Sequence, residues 1–277
     1  MPTDTPDRDV HSRPGLGASA HVMQGRQLEI LRIRVEQPML IFIDQGSKAV
    51  RTERSAPVQA LPGQAILLAG GHTVDFNNAV LADGQPYEAR CLIFDPVLLD
   101  DAYYASRIAG ANTTLPPAQL LRQPAPDLQA AFDHARRTLA QNVPDAVARQ
   151  RLLEVMHWLL EAGMPLHRPV TDARISLKVR ALITRQLDHD WTASTIATGL
   201  ALSEATLRRR LAEENTTFSE LLIDTRMATA LTLLQATTHP VSDIALSVGY
   251  ESSSRFAVRF RQRFGFSPTT VRGKRLC

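Results

Sequence analysis

The chain has 277 residues, 44% of them hydrophobic, and a formal net charge of +3. This length and apolar content predict about two domains, each with a buried core. With two cysteines, no apolar run near the ~18 residues of a membrane helix and no apolar signal core at its start, the sequence excludes a disulfide scaffold and a membrane protein, and we expect a soluble, cytoplasmic one.

Charge is distributed unevenly between the two halves. Residues 172–277 carry 15 Lys or Arg against 10 Asp or Glu, whereas residues 1–171 carry 16 against 18. The C-terminal part is therefore basic and the N-terminal part slightly acidic. A basic domain of this kind is typical of a nucleic-acid partner.

The N-terminal part begins with a segment that lacks periodicity. Residues 1–25 are rich in Pro, Asp, Gly and Ser, and they predict a disordered tail. From residue 26 short apolar runs, such as residues 39–43, alternate with turn residues such as Gly46. Five to eight short strands fit between residues 27 and 95, which favours a small antiparallel barrel.

Helices are predicted after the strands. Their expected ranges are residues 97–108, 127–141 and 145–162, the last beginning after Pro144 and ending at Gly163. We therefore expect residues 26–163 to form one effector or dimerisation domain, a barrel followed by helices. Most apolar residues of the third helix are expected to pack on the barrel.

The next segment predicts a domain boundary. Residues 164–173 contain two prolines and predict an interdomain linker. A second domain is expected over residues 174–277. Its first helix, over residues 175–187, should turn Ile175, Val179, Leu182 and Ile183 inward.

The second domain contains one short pattern used twice. Ile196-Ala197 recurs 48 residues later as Ile244-Ala245, and Leu207 corresponds to Phe256, 49 residues later. In each copy a short helix, a tight turn and a basic helix follow one another. This repeat predicts two helix-turn-helix units, the second with a turn one residue longer.

The basic helices are predicted over residues 203–214 and 252–264. At about 100° per residue, Leu207 and Leu211 face inward in the first, leaving arginines outside. Short polar residues in a first turn, followed by arginines, suit a helix that enters the major groove, because base edges meet the first turn and guanidiniums meet phosphates. The residues predicted to bind DNA are Ser203, Ala205, Thr206, Arg208, Arg209, Arg210, Ser252, Ser253, Ser254, Arg255, Val258, Arg259, Arg261 and Gln262.

A long helix is predicted between the two units. It runs from Phe218 to about Ala236, after a capping box of Thr217 and Glu220 and before His239-Pro240. Nineteen residues span roughly 28 Å. This is close to the ~34 Å between successive major grooves on one face of B-DNA, so one chain can present both units to one duplex.

Many residues of the second copy lie at spacings shared with a known family. They are Arg226, Met227, Ala230, Leu233, Leu234, Ile244, Ala245, Gly249, Tyr250, Ser252, Ser254, Phe256, Phe260, Arg261, Gly265, Ser267, Pro268 and Arg272. At these residues the chain resembles the C-terminal DNA-binding domain of the AraC/XylS family of bacterial transcription regulators. The resemblance covers about 100 residues, roughly 175–272.

Three positions depart from the family pattern. Ala201 stands where glycine is common, Val258 where arginine is frequent, and Val271 where an aromatic residue is usual. The valine removes one usual contact to a base or phosphate. It could instead touch a thymine methyl group.

The resemblance implies an α+β protein of two domains: an N-terminal cupin-like antiparallel β-barrel with flanking helices, and a C-terminal all-α domain with two helix-turn-helix units joined by a long helix. It implies control through the N-terminal domain by a small molecule or a regulatory protein. We accordingly predict a sequence-specific transcription regulator, an activator, that binds double-stranded DNA, works with RNA polymerase and pairs as a homodimer through helix 145–162.

A cupin-like barrel raises an alternative function, a metal-dependent enzyme with a DNA-binding appendage. Such a site needs several His or carboxylate ligands. His72, followed by Asp75, is the only histidine between residues 23 and 133. Cys91 lies in an apolar run and is predicted to be a buried small hydrophobe. We therefore predict no metal, no cofactor and no catalytic residue, and we leave the effector site unassigned.

Overall fold

The computed structural model describes residues 10–52, 55–81, 84–109, 116–168 and 174–272. The chain divides into two compact units, with the division between residues 171 and 172. The N-terminal unit contains antiparallel strands followed by helices, and the C-terminal unit is helical. The α+β class and the order of its parts are as the sequence predicts.

Ten strands in the described part of the N-terminal unit form two antiparallel sheets. The strands are β1 (Val10–Arg13), β2 (Gly17–Gln24), β3 (Leu28–Val35), β4 (Met39–Gln45), β5 (Ser47–Thr52), β6 (Val58–Ala60), β7 (Ala65–Leu68), β8 (His72–Ala79), β9 (Tyr87–Phe94) and β10 (Ala118–Leu121). One sheet has the order β1-β2-β9-β4-β7-β10 and the other the order β3-β8-β5-β6. Within the described residues no strand pairing closes the two sheets into one barrel, so the cupin-like barrel stays a prediction.

The first sheet carries the core of this unit. Strand β7 and residues 40–43 of β4 are buried, because they are apolar on both faces of the sheet. One face, with Leu40, Phe42 and Leu92, packs against two helices, α2 (Pro126–Ala140) and α3 (Asp145–Glu161). Arg90 of β9 anchors the contact by pairing with Asp44 of β4 at 2.7 Å and with Asp133 of α2.

The prediction of a disordered tail over residues 1–25 is wrong for residues 10–24. These residues form β1 and β2, and β2 pairs along its whole length with β9. Gly17 is required at the start of β2, because a Cβ there would lie 2.0 Å from the carbonyl oxygen of Ile93. The composition of this segment hides the strands, because small or polar residues take the buried positions of β2. Residues 1–9 lie outside the described residues.

A β-bulge interrupts the alternation of buried and exposed residues along β3. Leu28 and Ile30 are buried, the pairing of β3 with β8 shifts between Ile30 and Ile33, and Val35 is buried again. Arg32 adopts a positive φ of 55° in the bulge, and its backbone N–H donates to Oδ1 of Asp75 at 2.8 Å. The bulge accounts for the break in the pattern, since it shifts which residues face the core.

The helical part of this unit differs from the predicted ranges in three places. The helix predicted over residues 97–108 is two elements, a 3₁₀ helix Pro96–Asp100 and α1 (Ala102–Ile108), because the carboxylate of Asp101 caps the second one. Strand β10 was not predicted. The first half of the predicted linker is packed into the unit: Leu166 is buried, and its backbone N–H donates to the Tyr104 hydroxyl at 2.8 Å. Residues 169–173 lie outside the described residues.

The C-terminal unit contains the predicted helices with small changes at their ends. The helices are α4 (Ile175–Arg185), α5 (Ala193–Gly199), α6 (Glu204–Glu213), α7 (Phe218–Ala236), α8 (Val241–Ser247), α9 (Ser253–Phe264) and α10 (Pro268–Arg272). The long helix α7 and its capping box of Thr217 and Glu220 are confirmed. The short helix α10 was not predicted.

A buried polar chain links the two sheets of the N-terminal unit. Lys48 of β5 donates from Nζ to Oδ1 of Asn78 of β8 at 2.9 Å, and Asn78 donates from Nδ2 to Oε1 of Gln24 of β2 at 3.1 Å. All three side chains are buried. The ammonium also lies 3.9 Å from the ring centroid of Phe76. Lys48 has no carboxylate partner in the part of the chain that the structure describes.

Burial makes the charge state of Lys48 dependent on pH. It lowers the pKa of the ammonium from 10.5 to about 7, because the interior disfavours the charged form. Between those values the unfolded chain keeps the proton that the folded chain has lost. The unfolded state then binds more protons, so stability rises with pH across this window.

We expect Lys48→Met to remove this dependence. The variant should be more stable than the wild type near and below pH 7, by up to about 5 kcal/mol, and this advantage should shrink as pH approaches 10. Urea denaturation at several pH values measures it, with Lys178→Met, an exposed lysine of α4, as the control. A stability difference that does not change with pH would show that Lys48 does not titrate in this range.

Candidate DNA interface

The two helix-turn-helix units contain the same turn. In the first, the N–H of Ala201 donates to Thr198 O at 3.0 Å and that of Leu202 donates to Ala197 O at 2.9 Å. In the second, the N–H of Gly249 donates to Leu246 O and that of Tyr250 to Ala245 O, both at 2.9 Å. Every donor and acceptor of the second turn lies 48 residues after the corresponding residue of the first turn. The repeat seen in the sequence is therefore also a repeat of backbone structure.

The corresponding turn residues differ in conformational cost. Ala201 has a φ of 53° and Gly249 a φ of 80°. Both lie in the left-handed region, where a residue with a Cβ is strained by about 1–2 kcal/mol. The first unit tolerates alanine because Ala201 is exposed. The second requires glycine, because a Cβ on Gly249 would lie 2.5 Å from Nη2 of Arg226 and 2.8 Å from Leu187 O.

Helix α6 presents a basic outer face. Leu207 and Leu211 are buried in a cluster with α4, α5 and α7, as predicted, whereas Arg208, Arg209 and Arg210 are exposed. Arg208 pairs with Glu204, and Arg209 pairs with Glu213 at 3.3 Å. Exposed pairs of this spacing are worth only about 0.3–0.5 kcal/mol. Both guanidiniums can therefore exchange these partners for a phosphate or a base.

Helix α9 is built on a ladder of aromatic rings. Phe256, Phe260 and Phe264 lie one turn apart and are buried, with ring centroids separated by 5.6 and 4.8 Å. Gly265 ends the helix in the left-handed conformation. The outer face carries serines, arginines, Gln262 and the 57% exposed Val258.

The fourteen residues predicted to bind DNA lie on these two helices and their caps. All are exposed except Thr206 and Ser252, which are half-buried. The hydroxyl oxygens of Ser203 and Ser252 accept from the N–H groups of Thr206 and Arg255, at 3.2 and 3.4 Å, so both serines cap their helices. DNA contact by the fourteen residues stays a prediction.

Asp224, in the middle of α7, joins three helices. Its carboxylate accepts from Arg180 of α4 at 2.6 Å and from Arg263 of α9 at 2.5 Å. Burial alone would raise the pKa of Asp224, but the two guanidiniums hold it below the ordinary value. Sequence reasoning gave Asp224 no role. Its only signal is a charged residue within a mostly apolar helix.

Arg226, two residues further along α7, connects the two units through backbone carbonyls. Its guanidinium donates to Leu187 O and His189 O, just before the first unit, at 3.0 and 2.9 Å. It also donates to Gly249 O, in the turn of the second unit, at 3.2 Å. Arg226 is therefore a positioning residue that fixes the second turn against the segment before the first unit. The sequence marked Arg226 only as a match to a family pattern.

Comparison with known proteins agrees with this geometry. Residues 196–274 match a family model described as a helix-turn-helix domain. Over 109 residues the chain is 35% identical to the HTH-type transcriptional regulator GadX of Escherichia coli K12, covering 39% of this chain and 40% of the relative. Over 103 residues it is 39% identical to the regulator YdeO of Shigella flexneri, covering 37% and 40%.

The C-terminal unit is an AraC-type helix-turn-helix domain. The chain spans about two fifths of the length of the curated relatives that it matches.

Most of the chain is similar in fold to a solved structure. The crystal structure of ToxT from Vibrio cholerae matches with a TM-score of 0.61 at 14% identity, covering 92% of this chain and 97% of that one. ToxT with a bound unsaturated fatty acid matches with a TM-score of 0.55 at 12% identity, covering 91% and 93%. At this identity the likeness shows a shared two-domain α+β fold and nothing about function.

The residues considered for a metal site do not converge. His72 is the first residue of β8, and Asp75 is engaged by the backbone of the β3 bulge. Across the described ranges no group of three or more His, Cys, Asp or Glu side chains is arranged to hold a metal ion. Cys91 is buried, and burial raises the pKa of its thiol to about 11. No described helix combines the length and the hydropathy that crossing a membrane requires.

We expect the two turns to respond in opposite ways to exchange of glycine and alanine. Ala201→Gly should stabilise the AraC-type domain by roughly 0.5–1 kcal/mol, because it relieves left-handed strain. Gly249→Ala should cost at least about 2 kcal/mol, because strain is added to the clash with Arg226. Thermal denaturation of the variants measures both effects.

Gly265→Ala is the matched control for the second variant. Gly265 has a φ of 82°, but a Cβ there meets nothing within 4 Å. It should cost only the conformational strain, about 1 kcal/mol. Equal losses for Gly249→Ala and Gly265→Ala would contradict a requirement for close approach of Arg226.

Proposed function

We propose that this protein is a sequence-specific DNA-binding transcription regulator. The observation that carries the proposal is the pairing of two equivalent helix-turn-helix units, each with an exposed polar and basic face on its second helix. We infer that α6 and α9 enter two successive major grooves. The relatives GadX and YdeO, each matched over 40% of its length, are HTH-type transcriptional regulators by name.

The packing around α7 supports binding of both units to one duplex. Helix α7 has 19 residues and a length of roughly 28 Å. Asp224 and Arg226 attach it to α4, α9 and the second turn. Since successive major grooves on one face of B-DNA lie about 34 Å apart, a fixed spacer of this size lets both helices bind without a second subunit.

Arginines on the outer faces provide the first test. Arg209→Ala and Arg255→Ala should each weaken binding to the preferred duplex by about 1–3 kcal/mol and relax the preference at one base pair, if the side chain contacts a base. A residue that contacts only phosphate should weaken all duplexes alike and reduce the salt dependence of binding. Fluorescence anisotropy on preferred and scrambled duplexes, at two salt concentrations, distinguishes these cases.

The matched control removes an arginine from the N-terminal unit, outside both helix-turn-helix units. Arg122 is an exposed arginine that follows β10 in the N-terminal unit. Arg122→Ala should leave affinity and base preference unchanged. The proposed function fails if the wild type prefers no duplex over a scrambled one, or if Arg122→Ala weakens binding as much as the other two variants do.

We also propose that the N-terminal unit responds to a small molecule with a carboxylate. ToxT, which has the same fold, has been solved with an unsaturated fatty acid and with a substituted butenoic acid. In this chain Lys48 is a buried amine with no carboxylate partner among the described residues. A carboxylate bound beside it would favour the charged ammonium and offset its desolvation.

Oleic acid and oleyl alcohol test this effector proposal. Near pH 7, oleic acid should raise the melting temperature of the wild type, because a ligand that binds only the folded state stabilises it. Oleyl alcohol, which lacks the carboxylate, should not. Lys48→Met should lose the response and the control Lys178→Met should retain it. An equal response in both variants would exclude Lys48 as the binding group.

Other parts of the functional hypothesis stay predictions. Activation, contact with RNA polymerase, a cytoplasmic location and the lack of enzymatic activity belong to this group, as does a cupin-like arrangement of the two sheets. Homodimerisation through α3 would have to use a small surface, because its residues Leu152, Val155 and Leu159 are buried within their own unit. Val147 is its exposed large apolar residue.

A further inference from the structure

Val258 is an apolar residue at the centre of an otherwise polar helix face. It lies two residues after Phe256 and two before Phe260, so at about 100° per residue its side chain points roughly opposite to both buried rings. Its side chain is 57% exposed. Ser254 and Gln262, one turn away on either side, are exposed as well, as is Arg255. An aliphatic group at this place is not needed for the core of the domain.

The repeat shows which residue occupies the same place in the first unit. The buried pairs Leu207 and Phe256, and Leu211 and Phe260, are each 49 residues apart. The same offset relates Val258 to Arg209. The centre of the outer face is therefore a guanidinium on α6 and an isopropyl group on α9. The two units present different chemistry to the duplex although their backbones repeat.

The major groove offers one partner to such a group. Guanine, adenine and cytosine present hydrogen-bond donors and acceptors there, whereas thymine adds the C5-methyl group. Valine neither donates nor accepts a hydrogen bond, and it would leave a polar base edge without a partner. Contact with a methyl group removes apolar surface of both partners from water.

Resting on the proposed function, we propose that Val258 recognises the 5-methyl group of a thymine in the groove occupied by the second unit. The corresponding position of the first unit, Arg209, suits the acceptors of a guanine. The preferred site is therefore asymmetric, with a thymine at the centre of one half. Val258 is a specificity-determining residue, and its effect depends on one methyl group of the DNA.

Replacement of thymine by uracil tests the proposal, because it removes only the methyl group. The full chain is first used to select a duplex from a randomised library, and each thymine of that duplex is then replaced singly. At one position uracil should weaken binding of the wild type on the order of fourfold, as expected for one buried methyl group. Val258→Ala should bind the unmodified duplex more weakly, and it should lose less affinity than the wild type when uracil replaces thymine at that position, because it keeps only one methyl group.

Two further variants keep the result interpretable. Val258→Thr keeps the branched shape of an exposed side chain and is expected to leave folding intact. It exchanges one methyl group for a hydroxyl, so it should also weaken the response to the thymine methyl group. Val97→Ala, at an exposed valine of the N-terminal unit, should retain the wild-type response. The proposal is overturned if no single uracil weakens wild-type binding, or if the Val258 variants keep the same loss. Failure of the library to yield any preferred duplex would instead overturn the proposed function.

Discussion

The C-terminal unit depends on the polar contacts of one turn of α7. The carboxylate of Asp224 binds Arg180 and Arg263. Arg226 donates to two backbone carbonyls just before the first helix-turn-helix unit and to one in the turn of the second. These groups are partly buried, and removal of one partner would leave the others without compensation, which is costly away from water. Apolar packing holds each helix-turn-helix unit together, but these contacts relate one unit to the other.

The two helix-turn-helix units have the same backbone structure but different side chains on their outer faces. The turns make the same hydrogen bonds, yet Ala201 occupies the left-handed position of the first, and Gly249 is required in the second because Arg226 lies against it. The outer faces also differ, with Arg209 in the place that corresponds to Val258. Under the proposed function, a duplicated backbone with unequal side chains suits an asymmetric DNA site, since each helix-turn-helix unit would contact its own base pairs.

The N-terminal unit has a packed apolar core and one buried polar chain that contains a lysine. Sheet and helices are joined by the rings of Phe42 and Phe132, 4.5 Å apart, and by Arg90 with its two aspartates. The chain of Lys48, Asn78 and Gln24 instead connects the two sheets with an amine whose charge is not compensated by any described carboxylate. A change of pH that titrates this amine therefore alters the stability of the unit.

The sequence by itself determined the helices of the C-terminal unit, its internal repeat, and which faces of α6 and α9 are buried, because caps and a period of 3.6 residues are local properties. It also located the strands between residues 28 and 94. Only the tertiary structure decided that residues 10–24 pair with β9 and that Lys48 is buried. It also decided that Asp224 and Arg226 connect the two helix-turn-helix units of the C-terminal unit. Each of these depends on partners distant in the sequence, and no local pattern records which distant groups will meet.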